Sequence, residues 1–160
     1  MIKTGIGYDV HRLKIDKPFY IGGVKINSNF GSEGHSDGDA LSHAIVDAIL
    51  GAAGLGDIGE YFPSDDDSWK DISSSIFLKD AIEKINNIGY IICNVDTTIV
   101  LKKPRLEKYK NKIKNNLALI MGLDEDNINI KATTTDGLGQ VGDGKGWAAI
   151  AIVTIQKKVL

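Results

Sequence analysis

Two short polar motifs constrain this chain more than anything else in it. Gly7-Tyr8-Asp9-Val10-His11 and His35-Ser36-Asp37-Gly38-Asp39-Ala40-Leu41-Ser42-His43 hold all three histidines of the 160 residues, and each borders an apolar element. The first reads as the end of a strand, where residues i and i+2 share a face, so Asp9 and His11 project side by side. The second opens a helix through Ala44-Ile45-Val46-Asp47-Ala48-Ile49-Leu50, with Ser36 and Asp37 placed to cap it. If the fold lays that opening turn against the strand end, His43 completes a set of one carboxylate and two imidazoles. Such a set suits Zn²⁺ with a fourth position open to substrate. Asp47, four residues after His43, shares its helix face and is a candidate to orient the imidazole.

The remaining pattern is that of an α+β domain with helices on one face of a mixed sheet. Residues 2–11 read as a strand, and Gly22-Gly23 as a hairpin turn between Phe19-Tyr20-Ile21 and Val24-Lys25-Ile26. Residues 27–34 read as a loop. The helix over about 38–53 is apolar round much of its surface, which predicts burial on more than one side, and a glycine-rich exit ends it. Residues 60–70 have the composition of a mobile loop, with aromatic residues at both ends that fold down onto something. Ser73-Ser74-Ser75 offers N-caps to a helix with Phe77, Leu78, Ala81, Ile82, Ile85 and Ile88 along one side. A strand covers 90–101, and Pro104 sits in the first turn of the next helix, which carries Leu106, Tyr109, Ile113, Leu117 and Ile120. Two strands follow, at 128–132 and 147–155, separated by a loop with five glycines between 137 and 146.

A net charge of −2 gives no long-range pull towards nucleic acid or anionic membrane, so an anionic ligand has to be held locally. Seven of the thirteen residues from Lys102 to Lys114 are basic, but most fall between apolar helix positions and read as a solvated face. Lys102, Lys103 and Arg105 differ, because free backbone N–H groups at a helix start can bind a ligand. The single cysteine, Cys93, cannot form an internal disulfide. No apolar run is long enough to span a bilayer and no leader is legible, so the expected location is the cytoplasm.

Gly137-Leu138-Gly139-Gln140-Val141-Gly142 matches G-x-G-x-x-G but is followed by a strand pattern, so it reads as a turn in which two backbones approach closely. Thr133-Thr134-Thr135-Asp136 gathers hydroxyls suited to phosphate and a carboxylate suited to Mg²⁺. Together these features point to metal-assisted phosphoryl chemistry on a diphosphate or nucleotide.

The same motifs resemble one family, the 2-C-methyl-D-erythritol 2,4-cyclodiphosphate synthases. The matching stretches are Asp9-Val10-His11, His35-Ser36-Asp37-Gly38-Asp39, His43, Gly56-Asp57-Ile58-Gly59, Phe62-Pro63, Asn94-Val95-Asp96, Pro104-Arg105-Leu106 and Lys131-Ala132-Thr133-Thr134-Thr135, in family order across the chain. The resemblance implies one synthase domain over 1–160, in a chorismate-mutase-like trimeric arrangement with active sites between subunits. It implies a cytidine diphosphate substrate cyclised with loss of CMP by a metal-dependent phosphorus–oxygen lyase, with neither nucleic acid nor membrane as partner.

By matching position, Asp9, His11 and His43 hold Zn²⁺, and Asp136 reaches a second ion, Mg²⁺ or Mn²⁺. His35 and Thr134 position the reacting phosphorus, with Ser36 on phosphate. The substrate-binding set implied by the family includes Asp9, Val10 and His11 at the metal, and Asp57, Ile58, Gly59, Phe62, Pro63, Ser64, Asp65 and Asp66 around the erythritol. Leu101, Lys102, Lys103, Pro104, Arg105, Leu106 and Glu107, with Thr133, form a cytidine pocket on the adjacent subunit, and Thr135 completes the threonine segment. The chain departs from the family pattern at Asp136, commonly Glu, and at Gln140, Asp143 and Lys145, commonly Phe, Arg and Glu. These changes bear on the second ion and on isoprenoid diphosphate binding in the trimer channel. Ser64 and Asp71-Ile72 depart as well, in the loop that closes over the site. Two other readings fit the bare residues: a metal-dependent phosphohydrolase of cytidine diphosphate compounds, and a non-catalytic trimeric sensor of a nucleotide or isoprenoid diphosphate.

Overall fold

The computed structural model describes residues 1–158. Five strands form one mixed sheet in the order β4-β1-β7-β5-β6. These are β1 (Ile2–Ile15), β4 (Phe30–Glu33), β5 (Tyr90–Val100), β6 (Ile128–Thr133) and β7 (Gly146–Lys157). β1 lies antiparallel to β4 and β7, β7 antiparallel to β5, and β5 parallel to β6. The parallel pair requires a crossover, supplied by helix α4 (Lys110–Met121). The hairpin β2 (Tyr20–Ile21) and β3 (Val24–Lys25) stands apart, turning on Gly22 and Gly23 at φ 57° and 74°, a conformation costly for other residues.

Helices α1 (Ala40–Ala53), α3 (Ser75–Asn87) and α4 cover one face of the sheet, and the core lies between. Along β1 the odd-numbered residues turn towards this core, and the even-numbered ones towards the open face. On α1 eleven residues are buried, among them Ala44, Ile45, Val46, Ala48 and Ile49, as its all-round apolarity predicts. Its approach to β1 is very close. A Cβ built on Gly5 or Gly7 would overlap the carbonyl oxygens of Ala48 and Ala44, so the helix backbone lies directly on the strand. Gly54, left-handed at φ 74°, ends α1, with its N–H on the Gly51 carbonyl.

Several sequence expectations need correction. β1 runs on to Ile15, because its C-terminal part pairs with β4, a strand inside what reads as the loop 27–34. The cap of α1 is Asp39, neither Ser36 nor Asp37. Its carboxylate is fully buried and accepts from Gly22 N–H (3.0 Å), Gly23 N–H (2.6 Å), Ser42 N–H (3.1 Å) and Ser42 Oγ–H (2.9 Å). One residue thus caps the helix and clamps the hairpin to it.

Pro104 does not start α4. Helical hydrogen bonding begins only where Lys110 N–H donates to Leu106, and residues 102–109 form a turn-rich segment anchored by buried Leu106 and Tyr109. Lys102, Lys103 and Arg105 are therefore loop residues without a helix terminus behind them. Ile88 lies past the last residue of α3 and is exposed. The glycine-rich loop holds one helical turn, α5 (Gly139–Gly142), where Gly142 packs on Gly137 closely enough that a Cβ would overlap it. Among the described residues no helix is long and apolar enough to cross a membrane.

Candidate metal centre and adjoining clefts

Because Gly5 and Gly7 let α1 rest on β1, the first turn of the helix comes down over the next two inward-facing strand residues, Asp9 and His11. His43 Nδ1 lies 2.9 Å and His11 Nδ1 3.1 Å from Asp9 Oδ2. One ligand atom from each of the three residues falls within 4.8 Å of the others. His11 Nδ1 is buried yet out of line for a hydrogen bond, so it has a lone pair or proton with no partner among the described residues. An orphaned imidazole nitrogen beside a carboxylate oxygen and a second imidazole is what a divalent cation of zinc character would satisfy.

Burial opposes charge on both Asp9 and His43, and their mutual attraction overcomes it. Desolvation would lift the Asp9 carboxyl, but the imidazoles of His11 and His43 hold it well below the usual carboxylate range. For His43, burial pulls downward while the hydrogen bond and charge of Asp9, aided by Asp39 and Asp37, raise the pKa above its ordinary value. The pocket is thus an electronegative seat for positive charge.

A cleft of about 290 Å³ opens beside the triad, lined by His11, His35, Ser36, His43, Ile58, Gly59, Phe62, Ser64, Trp69 and Phe77. Segment 60–70 folds down over it, as its terminal aromatics predict. Phe62 packs on Phe77 (ring centroids 4.4 Å apart) and edge-on to Trp69 (4.9 Å), and Phe77 in turn lies 5.9 Å from the His43 ring. His35 Nε2 meets the Asp66 carbonyl at 2.8 Å, which ties that imidazole to the covering loop. Asp57 caps a single helical turn, α2 (Ile58–Tyr61), by accepting from Glu60 N–H.

Asp47 does not orient His43. Its carboxylate accepts the Ile58 N–H at 2.8 Å and so anchors α2, and burial raises its pKa. The partners of His43 Nε2 are two hydroxyls, Ser36 Oγ at 3.1 Å and Ser74 Oγ at 2.9 Å. Sequence reasoning missed Ser74, Trp69 and Phe77 as site residues. Ser74 read as a helix cap, and it makes no capping hydrogen bond with its side chain.

The second group of expected site residues lies apart. Leu101 to Glu107 with Thr133 and Thr134 line a separate cleft of about 490 Å³, which shares no residue with the first. Asp136, at φ 52°, is exposed, and its Oδ1 accepts from Thr134 Oγ–H at 3.2 Å. Thr135 donates its hydroxyl to the Leu138 carbonyl. Within one chain, then, Thr134 and Asp136 do not join His35 and the triad. Val10 turns to the open face of the sheet, with only its backbone on the metal side, where its N–H donates to Asp9 Oδ1.

Residues 2–156 match the YgbB family. A protein of Alkaliphilus oremlandii that is 49% identical, over 98% of this chain and 99% of its own length, is named 2-C-methyl-D-erythritol 2,4-cyclodiphosphate synthase. This chain belongs to that family. Among other cyclodiphosphate synthase relatives, the bifunctional enzyme IspD/IspF of Campylobacter concisus is 47% identical over 96% of this chain, which spans 41% of that longer protein. A solved Plasmodium falciparum synthase in complex with CDP superposes with a TM-score of 0.87 at 37% identity, covering 99% of this chain and 97% of its own.

Proposed function

We propose that this chain converts 4-diphosphocytidyl-2-C-methyl-D-erythritol 2-phosphate to 2-C-methyl-D-erythritol 2,4-cyclodiphosphate with release of CMP. It is thereby a metal-dependent phosphorus–oxygen lyase of the non-mevalonate isoprenoid route, one catalytic domain over 1–160 working in the cytoplasm. The observation that carries this reading is the convergence of Asp9, His11 and His43 beside a covered cleft in a chain of this family.

In the reaction a 2-phosphate oxygen bonds to the β-phosphorus while the bond from that phosphorus to the oxygen bridging it to the α-phosphate breaks, and CMP departs with that oxygen. Asp9, His11 and His43 would hold Zn²⁺, and Asp136 a second divalent ion, Mg²⁺ or Mn²⁺; bound cations supply polarisation of the phosphoryl oxygens and neutralise developing charge. His35 and Thr134 position the reacting phosphorus and Ser36 donates to phosphate. Asp57, Ile58, Gly59 and the loop from Phe62 to Asp66 hold the erythritol and exclude water, so that the internal phosphate competes successfully as nucleophile.

We infer that the chain works as a homotrimer, the number of subunits being what the family resemblance implies, and two features support association. The threonine cleft that would take cytidine lies apart from the metal cleft in one chain, so a complete site needs a neighbour. The open face of the sheet also exposes Ile2, Ile6, Tyr8, Val10 and Ile152, with Ile6 at 69%, a contiguous apolar surface of the kind that association buries.

Phosphorus NMR of the product tests the reading directly. The expected result is a cyclic diphosphate plus CMP, no ¹⁸O taken up from labelled water, and loss of turnover on chelation or in His43→Ala. Solvent ¹⁸O in the product would instead identify a phosphohydrolase, and tight CDP binding without turnover at saturating metal a sensor.

A further inference from the structure

His43 Nε2 faces two hydroxyls, and the rest of the hydrogen-bond network decides which of them accepts its proton. Ser74 is buried, 1% exposed, at the N-terminal boundary of α3, where a serine side chain ordinarily caps the helix. Here its hydroxyl is turned away from the helix and lies between Asp37 Oδ1, which it meets at short range, and His43 Nε2 at 2.9 Å. Both oxygens of Asp37 already accept from backbone donors, Oδ2 from Ser74 N–H (2.8 Å) and Oδ1 from Asp39 N–H (3.2 Å), so the carboxylate is the acceptor at the Ser74 hydroxyl as well. The Ser74 hydroxyl proton is therefore committed to Asp37, and only lone pairs remain on Oγ to face His43. It follows that Nε2 carries the proton and donates it. Nδ1, hydrogen-bonded to Asp9 Oδ2 at 2.9 Å, is then the nitrogen whose lone pair a cation held by Asp9 and His11 would take in place of that contact. Ser36 Oγ has no such anchor, accepting only a long bond from Gly38 N–H at 3.4 Å, so its own proton stays free to turn into the cleft.

We propose that Ser74, backed by Asp37, is a positioning residue that fixes the tautomer and ring orientation of His43 for divalent cation binding. The proposal rests on the metal-centre reading above. The same contacts give it a structural reach. Asp71 N–H donates to the His35 carbonyl (2.9 Å) and Asp37 N–H to the Ile72 carbonyl (3.1 Å), so the end of the covering loop is stitched to the His35–Asp37 segment at the point where Ser74 meets His43. Partners of this kind, which hold the far nitrogen of a ligating imidazole, typically contribute about 10- to 100-fold to metal affinity.

The test is zinc affinity by chelator competition, together with the His43 Nε2–H signal in ¹⁵N-histidine NMR of the zinc-loaded protein. Ser74→Ala is expected to weaken Zn²⁺ binding about 10- to 100-fold and to lose the exchange-protected Nε2–H, while Ser74→Thr, which keeps the hydroxyl, restores both. Asp37→Asn provides a second variant should Ser74→Ala fail to fold. Its amide can donate to Ser74 Oγ, freeing the hydroxyl proton to point at Nε2, so it too is expected to weaken zinc binding. Wild-type affinity with a retained, protected Nε2–H in Ser74→Ala, or wild-type affinity in Asp37→Asn where that variant carries the test, would overturn the proposal. His43→Ala separates the two levels: if it alone loses zinc, the Ser74 assignment fails and the metal centre stands, whereas unchanged zinc affinity in His43→Ala overturns both.

Discussion

Asp39 shows how much one side chain can hold in place. Removing it in Asp39→Ala leaves the buried N–H groups of Gly22, Gly23 and Ser42 without acceptors and strips the cap from α1. At 1–3 kcal/mol for each orphaned buried donor, the expected loss is about 3 kcal/mol or more, read as a lower urea midpoint with an unchanged slope. Asp39→Asn is expected to recover only part of this, since its amide nitrogen would face a donor. The pairing of Asp9 with His11 was legible in the sequence, because strand alternation brings them to one face, whereas the arrival of His43 beside them depends on how α1 packs on β1. The roles of Asp37 and Ser74 were not. Each sits where a local rule predicts a cap, and each is diverted to a tertiary partner that lies 37 residues away in the chain. A capping residue competes for its hydrogen bond with everything the fold brings near, and nothing local reveals the competitor.

At the scale of elements, the contact between α1 and β1 determines whether the centre exists. Gly7→Ala places a methyl against the carbonyl of Ala44, the residue next to His43, and the helix has to lift or tilt to admit it. Overpacking against backbone costs about 3 kcal/mol. Because the displaced turn carries His43, zinc affinity is expected to fall together with the melting temperature. Ala48→Gly on the helix side, which adds no atoms at the contact, should lower stability through helix propensity by about 1 kcal/mol and leave zinc affinity unchanged. Helix α1, helix α3 and the long strands were legible from periodicity. The segment 102–109 was not, since a proline after a strand signals either a helix start or a turn. The burial of Leu106 and Tyr109, which ties the segment down before α4 begins, is a tertiary fact.

For the molecule as a whole, the proposed function makes assembly a condition of activity, because the two clefts lie apart in one chain. The double variant Ile6→Asp/Tyr8→Asp puts charge on the exposed apolar face without touching the inward side of β1. The expected outcome in sedimentation is a shift from trimer to monomer, with zinc affinity kept and turnover lost. Zinc lost along with assembly would mean that the centre depends on the neighbour as well. The division of labour along β1 has a further consequence. Its two sides alternate residue by residue, the candidate ligands on one and the exposed apolar side chains on the other, so both are read in a single phase. One residue inserted or deleted ahead of Asp9 would turn carboxylate and imidazole outward and drive Tyr8 and Val10 beneath the helix, losing metal and oligomer in one stroke. Length variation in this stretch is thus barred in steps of one, and a homologue that carries such a change should carry a compensating bulge before its aspartate.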